Sequence, residues 1–286
     1  TSFAAHDVAA AELPDRDETA SSDTPSAAVS ADQPSHVRSF FTFPRGAHAG
    51  IFLHEIFEKM DFSKELLEKD DAAVVGYLKK HGFNSDWLPY IRSMIDHVLS
   101  VPMAAPRGSF CLADLRPGCW ITELEFFFPL KFVTSTILRD TFRTWSSQHT
   151  TVDLLTLSQA LRFKPAEGMV RGFIDMVFEH NGRFYLLDWK SNHLGYRIED
   201  YNRDALKIAM GKNLYPLQYL LYTVALNRYL SLRVRDYDYT THFGGVLYFF
   251  LRGVDRESGQ EFGIFRDTPP VAMINELTAC LIQAGG

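Results

Sequence analysis

Two aspartates and a lysine, Asp175, Asp188 and Lys190, flank Asn181-Gly182 in the segment GFIDMVFEHNGRFYLLDWKSN. Asn-Gly between two runs rich in Phe, Ile, Val, Tyr and Leu is a strong signal for a hairpin with a two-residue turn. With that turn His180 pairs with Arg183, and counting outward sets Asp175 opposite Asp188 and Phe173 opposite Lys190. Directly opposed side chains have Cβ atoms roughly 4.5 to 5.5 Å apart, so two carboxylates placed there repel unless a cation lies between them or one holds a proton. A divalent cation held by hard oxygen ligands, beside a lysine that orients or deprotonates a water, is the minimal equipment for hydrolysing a phosphodiester.

The neighbours of these residues weigh against a plain solvated sheet face neutralised by Lys190. Alternation puts apolar Phe173, Val177, Phe184 and Leu186 on the face of the carboxylates, and Ile174, Met176, Phe178, Tyr185, Leu187 and Trp189 on the other. Strands apolar on both faces are buried in a sheet interior, where a carboxylate needs a metal or a hydrogen-bonded partner.

Length and composition permit a large core: 286 residues, 46% hydrophobic and 14% aromatic. No apolar run approaches the roughly 18 residues of a membrane span, and the first residues lack the basic and apolar regions of a signal peptide. The expected compartment is the cytoplasm, with no membrane contact. Cys111, Cys119 and Cys280 are too few and too scattered for a disulfide framework or a four-cysteine metal site.

Residues 1–36 are rich in Ala, Ser, Thr, Asp and Pro, with Phe3 the only Phe, Tyr or Trp, and cannot bury enough apolar surface to offset the entropy of ordering. They are expected to form a disordered acidic linker or tail ahead of a folded domain over 37–286. The initial Thr adds the expectation of a further domain upstream. The tail holds seven acidic residues and one basic, Arg16, so the net charge of −6 resides there and the remainder is neutral. A broad basic surface for nucleic acid is therefore not expected. Local patches remain, with Arg197, Arg203, Lys207 and Lys212 as candidates or as ordinary surface ion-pairing residues.

The elements that must position the hairpin follow from periodicity. Helices are predicted over 49–60, with Ile51, Phe52, Ile56 and Phe57 as its apolar residues, and over 63–80 and 86–100, the last capped by Ser85 or Asp86. A strand over 120–129 puts Glu123 and Glu125 on one face and Leu124 and Phe126 on the other. Further helices are predicted over 133–146, 203–210 and 214–232, the last placing Gln218 and Tyr222 one turn apart, and a buried strand runs from Gly244 to Leu251. The order predicts an α/β domain built on a central mixed sheet flanked by helices, with extra N-terminal helices.

The hairpin segment resembles the core of the PD-(D/E)XK nuclease superfamily, with Ile174-Asp175 in the place of the "PD" element and Asp188-Trp189-Lys190 as D-x-K. FPRGAHAGIFLHEIFE at 43–58, YPLQYLLYTVALNRYL at 215–230 and HFGGVLYFFLRGVD at 242–255 are similar to motifs of its RecB-like nuclease domains, in the same order. The resemblance implies a restriction-endonuclease-like fold. It also implies an Mg²⁺-dependent deoxyribonuclease of the exodeoxyribonuclease V type, hydrolysing DNA as an endo- and exonuclease during double-strand break repair and recombination.

By the same resemblance, His54, in G-x-x-x-H from Gly50, Asp175, Asp188 and the backbone carbonyl of Trp189 are metal ligands, and Lys190 is the catalytic lysine. Gln218 and Tyr222 match a Q-x-x-x-Y motif that positions DNA or the lysine. An acidic residue is expected on the preceding strand, filled by Glu123 or Glu125. RecC-like and RecD-like subunits are implied as partners besides DNA, with a RecA-type recombinase as a further candidate. Some relatives hold an iron-sulfur cluster through closely spaced cysteines after the helical motif. Here only Cys280 occurs in that region, so no cluster is expected. No Walker A sequence is present, which leaves ATP use to a helicase part outside this chain. The rival reading is a catalytically silent nuclease-fold module that docks protein partners.

Overall fold

The computed structural model describes residues 38–60, 62, 71–106 and 108–282. The segment 1–36, and the part of the predicted 63–80 helix before Asp71, lie outside the described residues. The helices are α1 (Ala47–Lys59), α2 (Asp71–Lys80), α3 (Leu88–Ser100), α4 (Ser135–Trp145), α5 (Leu154–Ala160), α6 (Arg203–Lys212), α7 (Tyr215–Arg233), α8 (Tyr239–His242) and α9 (Val271–Leu281). The short strands β1 (Met103–Ala104) and β2 (Ser109–Phe110) form a ribbon of their own. The main sheet holds β3 (Trp120–Val133), β4 (Ala166–His180), β5 (Arg183–Lys190), β6 (Phe243–Phe250) and β7 (Ile264–Asp267), in that spatial order. Only β5 and β6 run parallel, so the sheet is mixed.

Helices cover the sheet on both faces, giving an α/β/α sandwich. On one side α1, α2 and α3 bury Phe52, Leu53, Ile56, Phe57, Leu78 and Ile91 against Met176, Phe178, Leu187 and Trp189. On the other, α4 to α9 pack Phe142, Leu157, Tyr222 and Ile274 against Phe126, Phe128, Leu186 and Tyr248. The apolar stripe of α1 is turned slightly from the sequence reading: Ile51 is 61% exposed, and Leu53 is inside instead. A short 3-10 turn (Ser85–Trp87) precedes α3 and is capped by Asn84, not by Ser85 or Asp86; the Asn84 side chain accepts the Asp86 N–H. Among the described residues no helix is long and apolar enough to cross a membrane.

The β4–β5 hairpin forms as the Asn-Gly signal predicts. Asn181 (φ 52°) and Gly182 (φ 76°) are both left-handed, as a type I′ turn requires. His180 pairs with Arg183 and the register continues to Met176 with Leu187. There it stops, one pair short of the expected Asp175/Asp188. The reason lies on the other side of β4. β3 keeps one register with β4 from Trp120↔Phe178 to Leu130↔Gly168, but the sequence skips Glu123 and Asp175.

At this gap the two strands turn over together. Met176 and Phe178 face the α1 side, whereas Leu124, Phe126, Ile174 and Val170 face the α7 side. Positions two apart on a regular strand share a face, so Thr122/Met176 and Leu124/Ile174 could not change sides without a local reversal. Glu123 supplies it with φ 51°, a conformation costly for a residue with a Cβ. The strict alternation read from the sequence therefore fails at Ile174, which joins Val177 on the α7 side.

Candidate active site

The side chains of the site are delivered by several elements that meet around this reversal. Asp175 is released from the ladder, and its Oδ2 accepts the Trp189 N–H at 2.8 Å. The same oxygen lies 3.5 Å from His54 Nδ1 on α1. The indole of Trp189 faces away from Asp188 and stacks on Phe57 of α1, with ring centroids 4.4 Å apart. That stack holds the His54 helix against β5.

Asp188 and Lys190 project from β5 on the opposite face to Trp189. They are 1% and 5% exposed, and Lys190 Nζ is 2.6 Å from Asp188 Oδ1. Apart from this ion pair Oδ1 has no hydrogen-bond partner. Burial, then the charge of Asp175, raises the Asp188 carboxyl to about 7 despite the lysine.

Glu123 and Glu125 have different fates. Glu125 lies on the surface paired with Arg171, 2.5 Å away. Glu123 is exposed, yet its carboxyl is affected by the interior and by its acidic neighbours. Desolvation, then the like charges of Asp175, Glu58 and Asp188, pushes it up to about 7. Glu58 of α1 lies one turn beyond His54, and its charge reaches the same site. Thr122 anchors it by donating from Oγ1 to the Glu58 carbonyl at 3.2 Å.

Gln218 and Tyr222 reach the site through a third residue. Tyr248 of β6 donates its hydroxyl to Gln218 Oε1 at 2.9 Å, and Gln218 Nε2 donates to the Tyr222 hydroxyl at 3.1 Å. Burial, followed by the charges of Asp188 and Asp175, drives the Tyr222 hydroxyl far above its ordinary range. Tyr222 is therefore a neutral hydroxyl at the rim of the acidic cluster. Tyr248 gave no signal in the sequence, because an aromatic in GGVLYFFL reads simply as sheet interior.

The backbone on either side of the site is fastened by Arg252, buried just after β6. Its guanidinium donates to the carbonyls of Ser191 (3.1 Å), Phe40 and Phe43 (both 3.0 Å) and Pro44 (2.7 Å). The basic candidates outside the site are peripheral: Arg197 pairs with Asp200 at 3.5 Å, and Arg203, Lys207 and Lys212 lie exposed on α6.

Among the described residues the acidic and imidazole side chains do not converge as a ready-made group of three metal ligands. The donor set nevertheless suits a hard cation. Carboxylates from β3, β4 and β5 act on one another electrostatically, with the His54 imidazole beside Asp175, and two of them are pushed to about 7 by burial and mutual repulsion. A divalent ion would relieve that repulsion.

Comparison with known proteins agrees with this geometry. The family model for the PD-(D/E)XK nuclease superfamily matches residues 114–277. The RecBCD enzyme subunit RecB of Escherichia coli is 42% identical over 233 residues, which is 81% of this chain and 19% of that protein. The Haemophilus influenzae subunit is 38% identical over 235 residues, covering 82% of this chain and 18% of the relative. RecB of Mycobacterium tuberculosis is 42% identical over 130 residues, 43% of this chain and 12% of its own length. The chain thus spans about a fifth or less of these relatives. A match running from before β3 into α9, across every strand of the main sheet, places the chain in the PD-(D/E)XK nuclease superfamily.

Proposed function

We propose that this chain is the metal-dependent nuclease domain of a RecB-type helicase–nuclease, hydrolysing DNA phosphodiester bonds during the repair and recombination of double-strand breaks. The observation that carries the reading is the buried Asp188–Lys190 pair beside Asp175 and His54, because so much acidic charge in one place is costly without a cation to receive. His54, Asp175, Asp188 and the Trp189 carbonyl would hold Mg²⁺, with Glu123 as the acidic support and Glu125 outside the site. The ion would polarise the scissile phosphate and lower the pKa of an attacking water. Lys190 would place its positive charge where the nucleophile and phosphate meet, and Asp175 would keep β5 in register with α1 through Trp189 and His54. Gln218 and Tyr222 would order the lysine's surroundings.

The name of the relatives, RecBCD enzyme subunit RecB, supports RecC-like and RecD-like subunits as partners; DNA as substrate, delivered by an ATP-using helicase part, belongs to the same proposal. The near-neutral charge of residues 37–286 agrees with strands being fed to the domain. A RecA-type recombinase is a further candidate partner, and the cytoplasm the proposed location.

The test is Mg²⁺-dependent degradation of linear and circular single-stranded DNA by this chain, alongside Asp188→Ala and Lys190→Ala proteins of unchanged circular dichroism. Cleavage lost in both variants is expected. Cleavage retained by a folded Asp188→Ala protein would overturn the assignment. Activity absent throughout, with no Mg²⁺ binding that depends on Asp175, would favour a silent docking module.

A further inference from the structure

Lys190 lies over the rings of two neighbouring tyrosines, Tyr215 and Tyr248, to which the family resemblance assigned no role. Its Nζ is 4.1 Å from the centroid of the Tyr215 ring and 5.3 Å from that of Tyr248. The two rings are themselves 5.7 Å apart and tilted by 39°. Each ring is fixed at its far end. The Tyr215 hydroxyl donates to Asn192 Oδ1 at 3.0 Å, and the Tyr248 hydroxyl donates to Gln218 Oε1 at 2.9 Å. Tyr215 opens α7, and Tyr248 lies beside Asp188 in the parallel β5–β6 ladder, so the rings belong to two different elements.

A lysine has four rotatable bonds, and an ion pair with one carboxylate oxygen does not define the position of its ammonium. Aromatic faces do more than fill space, because their negative quadrupoles attract the ammonium within about 6 Å while their edges block other rotamers. We infer that Tyr215 and Tyr248 are positioning residues that aim Lys190 Nζ at Asp188 and at the reacting phosphate. The inference rests on the nuclease reading for its kinetic consequence, but the clamp itself is a geometric feature that can be observed without DNA. It also gives Gln218 a specific task, which is to hold the Tyr248 ring, and assigns Asn192 the same task for Tyr215.

Two measurements on this chain test it. The first is the proton NMR shift of the Lys190 ε-methylene group in metal-free protein, assigned by loss of the signal in Lys190→Met. Two adjoining ring faces should displace it upfield; Tyr215→Leu and Tyr248→Leu should each move it back, and the Phe variants should preserve it. The second is single-turnover cleavage of single-stranded DNA with Mg²⁺. Because a displacement of about 1 Å costs up to about 100-fold, each Leu variant should be slowed by roughly 10- to 100-fold, with DNA affinity unchanged. Each Phe variant, which keeps the ring, should retain most of the rate. Amide spectra identify any variant that fails to fold.

A Lys190 signal that is not displaced, or that ignores both Leu substitutions, overturns the proposal. So does equal slowing of the Leu and Phe variants, which would assign the effect to the hydroxyls. If the wild-type chain cleaves no DNA, the nuclease reading fails separately, and the NMR result alone decides whether the clamp exists.

Discussion

Glu123 and Asp175 occupy facing positions at a gap within the β3–β4 ladder, and both strands change faces there. A left-handed glutamate at φ 51° is expensive, and non-glycine residues in such conformations concentrate where a site requires them. The cost frees the Asp175 carboxylate from a regular ladder position and lets it take the Trp189 N–H. The charges of Asp175, Glu58 and Asp188 all act on the Glu123 carboxyl at this position.

Glu123→Gln should therefore raise the melting temperature of metal-free protein at pH 8, since the glutamate is charged above about 7 and repelled by its neighbours. The same change should weaken Mg²⁺ binding by roughly 10- to 100-fold, the usual effect of losing a residue that supports a metal site. Glu125→Gln, which breaks only the surface pair with Arg171, should alter neither. Calorimetric titration and thermal scans separate the two; equal responses from both glutamates would refute the distinction.

Arg252 links the chain entering α1 to the chain leaving β5, through carbonyls at Phe40, Phe43 and Pro44 on one side and Ser191 on the other. Lysine cannot reproduce a planar fork of five donors. Arg252→Lys should leave several buried carbonyls unsatisfied and cost roughly 3 kcal/mol or more in urea unfolding. DNA cleavage should fall as well, because His54 and Lys190 lie on the two segments it joins. A variant as stable as wild type would show that these contacts are incidental.

What could be read from the sequence followed from local signals. Asn181-Gly182 specified the hairpin and its register as far as Met176, and apolar periodicity marked the helix that carries His54, while the resemblance alone singled out His54 on it. The reversal at Glu123 had no such signal, since nothing in a run of alternating residues announces a left-handed glutamate. The choice between Glu123 and Glu125 was closed to pattern reading for that reason, as both stand on one nominal face. β7 and α9 also escaped: β7 has four residues, too few for periodicity, and is held by side chains from distant segments. Arg252 and Tyr248 act through contacts with residues far away in sequence.

His193 gives the protein an acid-sensitive point away from the carboxylates. Burial, then the charges of Arg45 and Arg252, lowers its pKa to about 4, against the weaker opposing effects of a hydrogen bond to the Phe41 backbone and the charge of Asp200. Tyr196 packs edge-on against its ring, with centroids 4.7 Å apart. A histidine depressed in the folded state favours folding above its unfolded pKa of about 6.5. As pH falls from there through about 4, the unfolded chain takes up a proton that the folded protein refuses, and stability is lost over that window. His193→Gln should flatten the decline in melting temperature between pH 6.5 and pH 4.5 relative to wild type. Parallel curves would exclude His193 as a contributor.

The far edge of the sheet is secured by Asp267, buried at the end of β7. Its Oδ2 receives the Tyr219 hydroxyl at 2.5 Å and lies 2.8 Å from His149 Nε2, while Oδ1 accepts the Thr268 N–H at 2.7 Å. Three separate segments thus meet on one carboxylate: the loop after α4, helix α7 and strand β7. Burial and the adjoining Asp267 charge hold the Tyr219 hydroxyl well above its ordinary range, so it stays a donor at every accessible pH. Asp267→Ala strands a buried tyrosine hydroxyl and a buried imidazole, and should cost about 3 to 5 kcal/mol in denaturant unfolding. Tyr219→Phe removes a single donor and should cost about 1 to 3 kcal/mol. Because α7 also carries Tyr215, Gln218 and Tyr222, the Asp267 variant should lose DNA cleavage at temperatures where it is still folded, whereas Tyr219→Phe should keep most of it. If the Asp267→Ala protein unfolds at the wild-type denaturant midpoint, the carboxylate is not the anchor of α7 and another contact must set the position of that helix.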